Sequence, residues 1–288
     1  MDKYTAVWIS HSSLSDFLAC PRAYYLKNVY RDSATKHKIK LMTPALALGS
    51  AVHEVLESLA VLPTEKRLLT SPVVRFESVW EKFSGKGGGF SDLNEEFLAK
   101  ERGKAMLWRV LQNPGPISRP AVKMAQDLPY YWISEADNII LCGKIDWLEY
   151  LSETNSVHVI DFKTGKKDES ESSLQLPIYY LLVSHCQSRP VTRASYWYLD
   201  RDEGLVEKTL PDPKVAHEQL LAAALKVKLA RQLQRFNCPN AEAGCWSCKP
   251  YEAIIRGEAE LVGEDEYKAD VYILPPKNGQ MIDESVIL

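Results

Sequence analysis

Two aspartates and a lysine lie in a part of the sequence that is typical of paired β-strands. The segments NIILCGKIDWLEY and SVHVIDFK are rich in β-branched and aromatic residues, and the polar stretch 152–155 joins them. A hairpin turn centred in that stretch places Asp146 opposite Asp161 on one face of the sheet. Lys163 follows two residues after Asp161 and therefore points to the same face.

Two carboxylates on neighbouring strands repel each other unless a positive charge neutralises them. Carboxylate oxygens are preferred ligands of Mg²⁺ and Mn²⁺, so a divalent cation is one solution for Asp146 and Asp161. The ammonium of Lys163 would then stand beside a metal-bound water. The alternative is that Asp161 and Lys163 form a solvated strand face that ends at the turn Thr164-Gly165.

Two helices add polar groups to this hypothesis. Residues 46–61 have apolar side chains at helical spacing, and His53 lies beside that apolar face, four residues after Gly49. Imidazole suits Mn²⁺ better than Mg²⁺, so His53 is either a metal ligand or a histidine of the surface or core. On a later helix, Gln175 and Tyr179 are four apart and share a face. They could bind phosphate oxygens or a base edge, or could pack at the rim of the core.

Three of the six cysteines fall within eleven residues: Cys238, Cys245 and Cys248. The N-terminus lacks the apolar segment of an export signal, which argues against a disulfide framework and favours a metal or cluster site. Cys142 and Cys186 lie in apolar runs and are expected to be small buried side chains.

The elements that must position these groups predict an α/β fold. Helices dominate residues 46–125, strands and two further helices follow over 127–236, and the cysteine segment covers 238–248. We expect one domain over 1–257. Residues 258–288 carry eight acidic and two basic side chains and are predicted to be an acidic C-terminal extension with little core.

Composition excludes several classes. A hydrophobic content of 45% and a charged content of 25% are those of a globular protein, not of a disordered or coiled-coil one. No uncharged apolar stretch is long enough to span a membrane, so we expect a cytoplasmic protein without membrane contact. The acidic extension accounts for the net charge of −3, and the mildly basic remainder permits a nucleic-acid partner without predicting one.

Four fragments in this order resemble the RecB-like branch of the PD-(D/E)XK nuclease superfamily. The fragments are GSAVHEVLE (49–57), GKID (143–146), DFKTGK (161–166) and QLPIY (175–179). The resemblance, over roughly residues 14–250, implies a restriction-endonuclease-like core with a central mixed β-sheet flanked by helices. It also implies that His53, Asp146, Asp161 and the backbone carbonyl of Phe162 hold Mg²⁺ or Mn²⁺. Lys163 would be the catalytic lysine, and Gln175 and Tyr179 would contact DNA.

The same resemblance gives the cysteines a role. CRISPR-associated RecB-like exonucleases and AddB-type nuclease domains join their N- and C-terminal segments through a 4Fe–4S cluster on four cysteines, here Cys20, Cys245 and Cys248 with a fourth. The sequence departs from the family pattern because Ile254 and Ile255 stand where the last cysteine belongs, which leaves Cys238 as the substitute. Structural Zn²⁺ on the same four thiolates is the alternative.

The leading prediction is therefore a metal-dependent DNA exonuclease that acts on single-stranded ends in recombination, repair or CRISPR adaptation, with a helicase or adaptation complex as partner. One alternative is a subunit that binds DNA or a helicase without cutting. Another is an RNA-directed hydrolase with the same fold. The presence of Asp146, Asp161 and Lys163 argues against the non-cutting subunit, because binding alone does not require all three.

Overall fold

Three β-sheets organise the part of the chain that the computed structural model describes, residues 2–201 and 204–275. The strands are β1 (Val7–Ile9), β2 (Ile39–Leu41), β3 (Tyr130–Ser134), β4 (Ile139–Cys142), β5 (Trp147–Leu151), β6 (Ser156–Lys163), β7 (Val191–Tyr198), β8 (Leu205–Lys208), β9 (Glu260–Glu264) and β10 (Asp270–Ile273). The sheets have the orders β1-β4-β3, β2-β10-β9 and β5-β6-β7-β8.

Helices cover both faces of the four-stranded sheet. They are α1 (His11–Ala19), α2 (Pro21–Tyr24), α3 (Pro44–Ala60), α4 (Pro72–Trp80), α5 (Leu93–Gln112), α6 (Gln175–Cys186), α7 (Pro213–Leu233) and α8 (Lys249–Ile255). A π-helical stretch, Tyr25–Val29, continues α2. Several helices begin in the way their sequence predicts. Thr43, for example, caps α3 by accepting a hydrogen bond from the backbone N–H of Leu46, and Pro44 takes the first helical position.

The four-stranded sheet is mixed. Strand β6 pairs antiparallel with β5 and parallel with β7, and β7 pairs antiparallel with β8. Helix α6 makes the crossover between the two parallel strands, as parallel pairing requires. All residues of β6 except Lys163 are buried, because helices cover the strand on both faces.

Two hydrophobic cores lie on the two faces of this sheet. One packs the side chains of α1, α6 and α7 against residues such as Val159 and Tyr196. The other packs α3, α4 and α5 against residues such as Ile160, Phe162 and Trp197. The alternation along β6 assigns Val159 and Asp161 to the first face and Ile160 and Phe162 to the second. The predicted α/β fold with a helix-flanked mixed sheet is confirmed.

The segment 138–150 differs from its prediction as one long strand. It forms two strands in two sheets, because the chain bends over 143–146 and passes from β4 to β5. A glycine suits the bend, since a Cβ atom on Gly143 would lie only 3.0 Å from Leu182 Cδ1 on α6. The bend therefore brings Asp146 to the start of β5.

The described part of the predicted acidic extension forms two strands. Strands β9 and β10 pair with each other, and β10 pairs parallel with β2 near the N-terminus. Val271 is buried against the α3–α5 side of the molecule, and Asp270 is buried as well. Of the described residues 258–275, Ala269, Asp270 and Val271 are the buried ones, so the extension contributes little to the core although it forms two strands. Residues 276–288 of the predicted extension lie outside the described residues.

Among the helices described over residues 2–201 and 204–275, none combines the length and apolar character of a membrane span. The expected cytoplasmic location stays a prediction.

Candidate active site

The hairpin register brings the two predicted aspartates together. Strands β5 and β6 pair Trp147 with Ile160, which places Asp146 opposite Asp161 as the sequence indicates. The backbone N–H of Phe162 donates a hydrogen bond of 2.9 Å to Asp146 Oδ2, so the end of β6 orients the Asp146 carboxylate. Both aspartates are buried.

His53 reaches the same place from helix α3. Its Nδ1 atom lies 3.4 Å from Asp146 Oδ2 and 3.9 Å from Glu57 Oε1, one helical turn later. One ligand atom each from His53, Glu57 and Asp146 lie within 4.8 Å of one another. Glu57 also pairs with Lys144. Helix α3 packs closely against this edge at Gly49, where an added Cβ atom would lie only 3.2 Å from Thr164 Oγ1.

The ammonium of Lys163 lies among oxygen atoms. Its Nζ is 2.9 Å from Asp161 Oδ2 and 3.0 Å from Glu169 Oε2, and it donates a hydrogen bond to Gln175 Oε1. The ring of Tyr196 lies below it, 4.9 Å from Nζ to the ring centroid. These contacts hold Lys163 at the edge of the sheet, with its ammonium beside Asp161.

The amide of Gln175 joins the lysine and the aspartate. Its Nε2 donates to Asp161 Oδ1 at 2.6 Å and to the hydroxyl of Tyr179 at 3.2 Å, while its Oε1 accepts from Lys163. Gln175 and Tyr179 are buried. Their predicted contact with DNA stays a prediction, and the geometry gives Gln175 a positioning role that the sequence did not indicate.

Charge at the site is unbalanced. Burial and the nearby charge of Asp146 raise the pKa of the Asp161 carboxyl to about 7. Burial lowers the pKa of His53, but its hydrogen bond to Asp146 and the two aspartate charges outweigh burial and raise that pKa to about 9. The charge of Asp146 contributes to both shifts, since it disfavours ionisation of Asp161 and favours protonation of His53.

A divalent cation fits these donors. Asp161 Oδ2 is buried and has no hydrogen bond, because its 2.9 Å contact with Lys163 lacks hydrogen-bond geometry. Buried carboxylate oxygens and one imidazole are ligands that suit Mn²⁺ and, through the oxygens, Mg²⁺. The donors that the described part of the chain brings within 4.8 Å of one another are His53, Glu57 and Asp146. Asp161 as a ligand of the same ion stays a prediction. The Phe162 carbonyl as a further ligand stays a prediction.

Sequence reasoning missed Glu169 and left Glu57 without a role. Glu57 had a detectable signal, since it follows His53 by four residues on one helix face. Glu169 had none, because it lies in the polar stretch DESES of the loop after β6, where charged residues are common. The backbone N–H of Glu169 donates to the hydroxyl of Tyr198, which anchors the loop on β7.

A second cluster joins the chain ends. The Sγ atoms of Cys20, Cys238, Cys245 and Cys248 are buried and lie within 4.8 Å of one another. Cys20 stands between α1 and α2, and Cys248 precedes α8, so the four thiols tie these short helices together. The structure thus brings Cys238 to the position where the sequence lacked a fourth cysteine.

Comparisons with known proteins identify the superfamily of the chain. A model of the PD-(D/E)XK nuclease superfamily matches residues 8–254, and the chain therefore belongs to that superfamily. A nuclease that acts on nucleic acid with the help of divalent metal ions is the class that this membership defines. A crystal structure from Eubacterium rectale, described as a candidate exonuclease, is 12% identical and has a TM-score of 0.48, with 84% of this chain and 87% of that chain covered. The search of curated proteins gave no match.

Proposed function

We propose that this protein is a metal-dependent deoxyribonuclease of the RecB-like branch, an exonuclease that degrades single-stranded DNA from its ends. The observation that carries the proposal is the convergence of Asp146, Asp161 and Lys163 at one edge of the sheet. The preference for DNA ends rests on the order and spacing of the four fragments that resemble this branch. The same resemblance supports a role in recombination, repair or CRISPR adaptation beside a helicase or adaptation complex.

Asp146, Asp161 and His53 would hold the divalent cation. When bound, such an ion supplies electrophilic stabilisation of the phosphodiester and makes a nearby water more acidic. Two hydrogen bonds from the protein orient the carboxylates. The backbone N–H of Phe162 donates to Asp146, and Gln175 Nε2 donates to Asp161. These fixed bonds keep the ligands oriented, as outer hydrogen-bond partners do in metal sites.

Lys163 is the group that would stabilise charge on the phosphate. Its ammonium is beside Asp161 and above the Tyr196 ring, so it is directed toward the place where the carboxylates converge. In the transition state, five-coordinate phosphorus carries more negative charge on its oxygens than in the ground state. A positioned ammonium therefore stabilises the transition state more than it stabilises the ground state. Gln175 restricts the position of the lysine side chain, because its Oε1 accepts a hydrogen bond from Lys163 Nζ.

A substrate panel tests the proposal. Oligonucleotides of one sequence are supplied as linear single-stranded, linear double-stranded and circular single-stranded DNA and as linear RNA, each with Mg²⁺ or Mn²⁺ and with EDTA as control. We expect degradation of linear single-stranded DNA, intact circles and no cutting in EDTA. Cleavage of circles contradicts the exonuclease proposal, preference for RNA contradicts the deoxyribonuclease proposal, and undiminished cutting in EDTA contradicts metal dependence.

A further inference from the structure

The sulfur positions in the four-cysteine site distinguish between two kinds of metal centre. Cys248 Sγ lies 3.8 Å from Cys245 Sγ and 3.7 Å from Cys238 Sγ. All four Sγ atoms, including that of Cys20, lie within 4.8 Å of one another. The site is therefore small, with the four sulfurs around one common point.

A single zinc ion matches this size. Four thiolates at a Zn–S distance of about 2.3 Å in a tetrahedron have their sulfurs about 3.8 Å apart. In a 4Fe–4S cluster each cysteine binds a different iron at a corner of the cube, so the cysteine sulfurs are roughly 6 Å apart. The cluster that the RecB-like resemblance implies does not fit between sulfurs that all lie within 4.8 Å.

The surrounding elements fix that spacing. Cys20 ends α1, where its N–H donates to Asp16 O, and it also caps α2 by accepting from the N–H of Ala23 at 3.4 Å. An ion pair of 2.9 Å between Arg22 on α2 and Glu252 on α8 ties together the helices on the two sides of the site. Widening the site by about 2 Å would therefore pull apart packed helices and break this ion pair.

Backbone N–H groups donate hydrogen bonds to three of the sulfurs. Asn240 donates to Cys238 Sγ at 3.4 Å, and Cys245 donates to Cys248 Sγ at 3.2 Å, in addition to the bond from Ala23 to Cys20. Such bonds stabilise sulfur in its thiolate form, which is the form that binds a metal. Three of the four cysteines receive such a bond.

We propose that Cys20, Cys238, Cys245 and Cys248 bind one zinc ion that holds the N-terminal helices to the segment 238–255. The ion closes a loop of more than two hundred residues around the nuclease core, so it stabilises the folded chain. The proposal concerns stability and metal identity, and it stands independently of which nucleic acid the protein cuts.

Metal analysis of the full-length protein tests the proposal. The chain is purified both aerobically and anaerobically from cells grown with added iron, and zinc, iron and acid-labile sulfide are measured together with the visible spectrum. We expect one zinc per chain in both preparations, iron and sulfide far below stoichiometry, and no broad absorption in the blue. Four irons and four sulfides per chain in the anaerobic preparation would overturn the proposal, and so would protein that retains neither metal.

A matched pair of cysteine variants assigns the ligands. Cys238→Ser is expected to lose zinc on gel filtration and to unfold at a lower temperature, whereas Cys186→Ser, outside the site, keeps one zinc. If Cys238→Ser does not fold, wild-type protein is titrated with a mercurial thiol reagent, and release of one zinc as four thiols react is expected. Full zinc content in Cys238→Ser, or zinc release that does not follow the thiols, contradicts the assignment.

Discussion

Oxygen atoms of three side chains surround the ammonium of Lys163. It donates a hydrogen bond to Gln175 Oε1, and its Nζ lies 2.9 Å from Asp161 Oδ2 and 3.0 Å from Glu169 Oε2. A phosphate oxygen that approaches this ammonium competes with these oxygens for it. Glu169 is the partner on a loop rather than on the sheet or a helix, and its negative charge opposes an incoming phosphodiester. We therefore expect substrate to displace Glu169.

Replacing that charge should strengthen DNA binding. Glu169→Gln keeps the shape of the side chain but removes its repulsion of the phosphate, so we expect roughly three- to tenfold tighter binding of a labelled single-stranded oligonucleotide. Fluorescence anisotropy in EDTA measures binding without cutting. The matched control is Glu171→Gln, which removes the same charge from an exposed position of the same loop. Equal gains in both variants, or weaker binding by Glu169→Gln, contradict displacement.

The shared face of Asp146, Asp161 and Lys163 could be predicted from the sequence because strand parity is a local property. Asp146, Asp161 and Lys163 follow from the length of one turn and the alternation of side chains, and the β5–β6 register agrees with that prediction. Glu169 could not be found in this way, since a loop has no period that fixes where its side chains point. The interaction of Gln175 with Asp161 depends on how α6 packs on the sheet, which spacing alone does not give.

At the scale of elements, Gly103 allows α3, α4 and α5 to pack together on the sheet face that carries Phe162. A Cβ atom on Gly103 of α5 would lie 2.4 Å from Phe76 Cζ on α4 and 3.0 Å from Leu48 Cδ1 on α3. Helix α3 carries His53, so this contact contributes to the position of a candidate ligand. Glycine is otherwise unfavourable within a helix, by about 1 kcal/mol relative to alanine.

Gly103→Ala should therefore destabilise the protein although alanine is the better helix former. We expect a loss of about 1–3 kcal/mol in the free energy of unfolding, because the added methyl group overpacks the contact with Phe76. Chemical denaturation measures the change. Gly87→Ala is the control, since a Cβ atom there has no neighbour within 4 Å. The double variant Gly103→Ala with Phe76→Leu should recover part of the loss, and a stabilised single variant would contradict this packing.

Element boundaries show where local patterns stop being informative. Helix α3 was predicted over 46–61 and spans Pro44–Ala60, because its apolar spacing matches the face that it buries. The break between β4 and β5 was missed because the residues on both sides of the bend are apolar and strand-forming. At the bend, Gly143 packs closely against Leu182 of α6, and such a contact between segments distant in sequence leaves no local pattern.

At the scale of the whole molecule, the two ends of the chain meet twice. Strand β10 pairs with β2, and the four-cysteine site joins α1 and α2 to α8. The acidic composition of residues 258–288 predicted an extension with little core, but composition does not report pairing with a strand more than two hundred residues away. The buried apolar residues of β10, such as Val271, are too few to give a periodic signal.

The α/β class and the mixed sheet could be predicted because they follow from the order of strand-like and helix-like segments. The division into three sheets could not, since it depends on the bend at 143–146 and on pairings between the chain ends. The four-stranded sheet and the four-cysteine group could therefore be predicted from the sequence, whereas the sheet of β2, β10 and β9 could not.

The central claim is that Lys163, beside Asp146 and Asp161, forms a metal-dependent hydrolytic site. The most direct measurement is the single-turnover rate of cleavage of end-labelled single-stranded DNA in Mn²⁺ by wild-type protein, Lys163→Ala and the surface control Lys226→Ala. We predict that Lys163→Ala lowers this rate by about a hundred- to a thousandfold and that Lys226→Ala keeps the wild-type rate. The unfolding temperature of Lys163→Ala in Mn²⁺-free buffer should change little. Cleavage by Lys163→Ala at the wild-type rate would contradict the account.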